Sequence, residues 1–136
     1  MTKYQLIVAG FVLIVASFTA CGTDNNSHMS INTVSSTISL GSSTSGNSTY
    51  IGGFTVNSAG TITASAVWTG TTNTLALILN GPGQVGYYAR NDGISPNTIS
   101  YNVTSADINK GSLWQISVIN FYNGDASGIV TIEYPN

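Results

Sequence analysis

Leu75 to Leu79 (LALIL) is the only run of five consecutive apolar residues beyond the N-terminal segment, and it stops at Asn80-Gly81-Pro82-Gly83. An apolar run of about 4–8 residues closed by such a turn reads as a strand covered on both faces. A strand of that kind needs a layer on each side, which few architectures supply. The following segment, Gln84 to Asn91, turns back and carries adjacent tyrosines, Tyr87 and Tyr88, which a strand would send to opposite faces. Together these segments predict the central hairpin of a sandwich core.

Period-two alternation surrounds that hairpin. Thr61 to Trp68 places Ile62, Ala64, Ala66 and Trp68 on one face and Thr61, Thr63 and Ser65 on the other. That is the pattern of a half-buried strand. The small alanines leave space for a large partner opposite, with Trp114 and Tyr101 as candidates. Ile31 to Leu40, Tyr50 to Asn57, Asn97 to Val103, Leu113 to Phe121 and Ile129 to Tyr134 read as further strands. Gly52-Gly53 suggests a bulge in the second of these. Thr104-Ser105-Ala106-Asp107 opens one helical turn, capped by Ser105 or Thr104 and ended by Gly111. About eight short strands, with turn signals every 8–12 residues, predict an all-β, antiparallel sandwich over residues 31–136.

Composition fits an exported domain of this class. Charged residues make up 6% of the chain while the apolar fraction is 42%, which separates it from intrinsic disorder. Ser, Thr, Asn and Gly take the place of charge on exposed faces. Lys3, Arg90 and Lys110 are the only basic residues. They offer no patch that could neutralise several phosphates, and nucleic acid is excluded as a partner.

Residues 1–20 form a separate unit. Lys3 supplies a positive start, and Leu6 to Ala20 is an apolar stretch broken only by Ser17 and Thr19, as in a secretory signal. The segment ends in Phe18-Thr19-Ala20-Cys21-Gly22. Here the chain resembles bacterial lipoprotein precursors, although Phe18 stands where that family usually has Leu. The resemblance implies a lipid on Cys21, which becomes the mature N-terminus and holds the protein to a bacterial membrane or cell surface. Ordinary cleavage after Gly22, giving a secreted soluble product, is the competing outcome. Cys21 is the only cysteine, so an intrachain disulfide is impossible. Residues 21–30 read as a disordered polar tether, and the lone His28 lacks the partners a structural zinc site needs.

The order F-T-V-x-x-x-G-T-I-T-A (Phe54–Ala64), LALIL, Trp114 to Phe121 and Gly128 to Tyr134 is similar to the bacterial pre-peptidase C-terminal domain. That likeness covers roughly Tyr50 to Tyr134. It implies a jelly-roll-like sandwich of the kind found beside secreted proteases and on surface proteins. The family's central D-x-D-L is replaced here by Asn73-Thr74-Leu75, so calcium binding does not carry over. The residues agree: calcium takes about 6–8 oxygen ligands, and no spaced Asp series is present. No cofactor is expected.

No nucleophile has an adjacent base, and Asp92, Asp107, Asp125 and Glu133 fall on separate turns or strands. The chain therefore reads as a non-enzyme. Arg90-Asn91-Asp92-Gly93 is the most polar cluster of the mature chain. Arg90 beside the tyrosines suits a carboxylate, a sugar or an aromatic ring. Equally, Asn91-Asp92-Gly93 suits a turn in which Arg90 pairs with Asp92. Trp68, Trp114 and Tyr101 read as core. Of the adjacent pairs Tyr87/Tyr88 and Phe121/Tyr122, one member each must face outward.

These readings predict a surface-anchored binding or adhesion module for a carbohydrate, matrix or protein ligand, with Arg90, Asp92, Tyr87, Tyr88 and Tyr122 as candidate contacts. Two alternatives remain open. One is a structural subunit that self-associates through Ile31–Leu40, by donating the strand or pairing its edge. The other is an accessory domain of a secreted hydrolase system.

Overall fold

A computed structural model describes residues 30–41, 48–70, 74–83, 86–121 and 124–136. The predicted signal peptide, Cys21, His28 and Tyr122 lie outside the described residues. The LALIL run forms β4 (Leu75–Asn80), and its five apolar residues are all buried, as the covered-strand reading requires. β5 (Ala89–Gly93) returns antiparallel beside it, with Leu79 opposite Ala89 and Leu75 opposite Gly93. β7 (Leu113–Asn120) flanks β4 on its other side, and β2 (Ser48–Thr55) pairs with β7. The sheet order is β2-β7-β4-β5. The hairpin is therefore not central, because β5 is an edge strand.

The second sheet contains β1 (Ile31–Leu40), β8 (Ala126–Pro135), β3 (Gly60–Thr69) and β6 (Asn97–Val103), in the order β1-β8-β3-β6. Every neighbouring pair in both sheets is antiparallel. Among the described strands, β4 and β5 are the only consecutive ones that pair within a sheet. Each other connection steps from one sheet to the other, which is the jelly-roll winding that the sequence predicted.

The core lies between the sheets and follows the alternation. Ile62, Ala64, Ala66 and Trp68 of β3 are buried, as are Trp114, Ile116 and Val118 of β7. Each large side chain removed from water contributes about 1.5–3 kcal/mol, so these two rows anchor the fold. β1 joins late in its length, since Ile38 and Leu40 are buried while Val34 is only half-buried. It pairs with β8 of its own sandwich over ten consecutive residue pairs.

Outward residues of this sheet form a hydroxyl grid. The register aligns Thr33, Glu133 and Thr63 in one row, and Ser35, Thr131 and Ser65 in the next. Hydroxyls bridge strands at 3.0 Å (Ser35 to Thr131) and 3.3 Å (Thr98 to Ser65). This grid hydrates a sheet face largely through hydroxyls, with Glu133 as its carboxylate, in keeping with the composition. One row departs from it, with Val67 and Ile129 opposite each other and both exposed.

Two local expectations fail. β2 and β7 pair in unbroken register through Gly52 and Gly53, so there is no bulge, and the strand begins at Ser48 rather than Tyr50. Gly52 instead makes room for a neighbour: a Cβ there would stand 2.7 Å from Tyr50 Oη. Asn91-Asp92-Gly93 is not a turn either. All three residues belong to β5, and no non-glycine residue among those described has positive φ. Ladder pairing with β4 overrides the turn preference of Asn and Asp.

Candidate functional site

The exposed face of β5 gathers most of the predicted contacts. Arg90 lies opposite Ile78 and Asp92 opposite Ala76, so both side chains leave the sheet on its outer side. Period two also puts them on the same side of β5, two residues apart. Arg90 Nε and Nη2 donate to Asp92 Oδ1 and Oδ2, each at 2.8 Å. This fork holds the Asp92 carboxyl below its usual range and raises the Arg90 guanidinium above its own. The guanidinium carbon stands 6.0 Å from the centroid of the Tyr87 ring, at cation–π distance. Tyr87 is 51% exposed. The pairing of Arg90 with Asp92 that the sequence offered is thus present, but on a strand.

Beside this cluster the outer face is apolar. The register runs Ile51, Ser117, Ile78, Arg90 across the sheet, with Thr49, Ile119, Ala76, Asp92 as the adjacent row. Ile51 is exposed and Ile119 half-buried. Ser117, Ala76 and Ile78 in these rows are buried, so what lies open is Ile51 at the β2 end and the planar ion pair with its aromatic ring at the β5 end. Such a surface offers stacking, directed hydrogen bonds and little net charge.

Tyr88 does not belong to it. Tyr88 precedes β5, and the bend there turns its ring inward against the alternation that sends Arg90 and Asp92 out, so that it lies 4.7 Å from Trp114 and 4.9 Å from Tyr101, centroid to centroid. Its hydroxyl donates to the Pro82 carbonyl at 2.7 Å, and its N–H to the Leu79 carbonyl at 2.8 Å. Tyr88 closes the core where the β4–β5 loop returns. Gly81 is needed at that point, because a Cβ there would stand 2.6 Å from the Trp114 ring and 2.9 Å from the Tyr88 ring.

A second polar group sits at the helical turn α1 (Ser105–Ile108). Of the two possible caps, Thr104 is the one used. Asp107 Oδ2 accepts from the Thr104 N–H, the Thr104 hydroxyl and the Tyr101 hydroxyl, while Lys110 Nζ donates to Oδ1. Accepting the Thr104 hydroxyl and N–H, more than anything else, lowers the Asp107 carboxyl to about 2. Burial, and then the Asp107 carboxylate, push the Tyr101 hydroxyl up. All of these donors are consumed in holding the turn against β6, so the group is structural.

Sequence reasoning missed two buried asparagines. Asn97 Nδ2 donates to the Leu75 carbonyl at 3.2 Å and the Asn91 carbonyl at 3.0 Å, joining β6 to the other sheet. Asn120 Nδ2 donates to the Gly41 and Gly124 carbonyls. The only sequence signal is an Asn at a strand end, which is also what a turn looks like. Phe121 is partly exposed, and its neighbour Tyr122 lies outside the described residues. Among the described residues no three His, Cys, Asp or Glu side chains gather to hold a metal ion.

No protein-family model matches this chain, and comparison with curated proteins gives no match either.

Proposed function

We propose that this protein is an exported, non-enzymatic binding module, lipid-anchored through Cys21, that takes a carbohydrate ligand on the outer face of the sheet β2-β7-β4-β5. The observation that carries this reading is the grouping of the exposed Tyr87 ring with the Arg90–Asp92 ion pair on that outer face. A sugar ring has apolar C–H faces and a rim of hydroxyls. The exposed Tyr87 ring suits the first. The outer edges of the Arg90–Asp92 fork suit the second, since a guanidinium donates in plane and a carboxylate accepts at several lone pairs. A ligand with a high net charge would find almost nothing to pair with.

The N-terminal motif supports the anchor.

The test is a glycan-array screen of the purified protein, followed by calorimetric titration of any hit with Tyr87→Ala and Arg90→Ala. Each substitution should weaken binding roughly tenfold or more. Binding that survives both substitutions would reject the site, and an array without hits would reject the carbohydrate reading. Intact mass of the membrane-associated protein tests the anchor separately, because a diacylated Cys21 fixes both the mature N-terminus and the modification.

A further inference from the structure

We propose that β1 is a self-association edge, and that two copies of this chain pair antiparallel along Ile31–Leu40 about a twofold axis. The sheet order puts β1 at the end of β1-β8-β3-β6, so one side of its backbone has no strand partner among the described residues. An edge of that kind is a template for another strand unless charge, proline, a bulge or short length blocks it. The four edges of this sandwich differ in this respect. β5 has five residues and carries Arg90 and Asp92. β6 begins directly after Pro96, and β2 contains Gly52-Gly53 with the Tyr50 side chain lying over Gly52. β1 is INTVSSTISL, with no charge, proline or glycine, and its ten unbroken pairs with β8 leave the opposite side regular.

The natural occupant is a second β1. Antiparallel pairing about a twofold is isologous, so one unguarded edge completes itself. Residues directly opposite each other share a sheet face. Registers that pair odd-numbered with odd-numbered residues therefore keep both cores on one side. They also run the hydroxyl rows of Thr33, Ser35 and Thr37 into their counterparts. The product is one eight-stranded sheet. Charge does not oppose it, because the whole chain carries a formal net charge of only −2. The edge lies beside β2, whereas the Tyr87–Arg90–Asp92 cluster lies at the β5 end, beside β6. Pairing and ligand binding are thus compatible and separable.

Sedimentation velocity over a concentration series, on the full chain in density-matched detergent, tests this. The wild type should show a concentration-dependent dimer. Thr33→Lys/Thr37→Lys, both exposed on β1, should weaken it roughly tenfold or more by facing like charges across the seam. Thr98→Lys/Asn102→Lys, with the same spacing on β6, should leave it unchanged. Hydrogen exchange on the wild type gives a readout that needs no variant: amide protection within residues 31–40 should rise with protein concentration. A wild type that stays monomeric overturns the proposal. So does a dimer that survives the β1 lysines or is lost equally with the β6 lysines, and so does protection of β1 that is independent of concentration.

Discussion

The hydroxyl of Thr104 accepts the Asp107 backbone N–H at 3.3 Å while Asp107 Oδ2 accepts the Thr104 backbone N–H at 3.0 Å, so each residue caps the other. This reciprocal box opens the only described helical turn on a buried carboxylate, with Tyr101 and Lys110 also bound to it.

The box makes stability depend on acid. The Asp107 carboxyl sits at about 2, against an ordinary value of 3.8. A carboxyl lowered by folding contributes stability that is complete above its unfolded value and is lost as pH falls through its folded value. Asp107→Asn should therefore cost about 1–2 kcal/mol at pH 7. The gap between wild type and variant should close between pH 4 and pH 2. Thermal melts across that range check both the size and the closure.

Two glycines in paired strands should respond in opposite ways. A Cβ on Gly128 would collide with the Val67 carbonyl and the Trp68 backbone, neither of which can rotate away. Gly128→Ala should destabilise by about 1–3 kcal/mol or more. Gly53 has only the Trp114 carbonyl near its Cβ position, at 3.9 Å. Gly53→Ala should be neutral or stabilise by up to about 1 kcal/mol, through the entropy of the unfolded chain. Urea denaturation of both variants decides this.

Asn97 should matter more than its polarity suggests. It is 2% exposed, and its amide joins β6 to carbonyls of Leu75 and Asn91. Asn97→Ala would leave two carbonyls short of a donor, at a cost of about 1–3 kcal/mol. Faster amide exchange at the β4–β5 end of the sandwich should accompany the loss. Unchanged exchange there would show that the asparagine does not join the sheets.

Arg90 should separate function from folding. Its fork with Asp92 is exposed to solvent, where ion pairs contribute little to stability. Arg90→Ala should leave the thermal midpoint unchanged within error while weakening carbohydrate binding. A large fall in midpoint would instead assign the pair a structural role.

The linear order of residues determined which strands exist and which face of each is apolar. LALIL announced a strand covered on both sides, and the alternation from Thr61 to Trp68 is the buried and exposed pattern of β3 with Val67 as its outlying apolar residue. Spacing alone carries that information, because side chains alternate with period two and water sorts them. Only the folded sheets decided what lies next to what. Pairing with β4 held Asn91-Asp92-Gly93 in a strand and set Arg90 and Asp92 side by side above Ala76 and Ile78. The return of the chain into β5 packed Tyr88 against the core, and the step of β6 into the other sheet joined Asn97 to Leu75, a residue 22 positions away. Those relations depend on register and on which strands become neighbours. Both are settled by the combined burial of eight strands, which no single stretch of sequence contains.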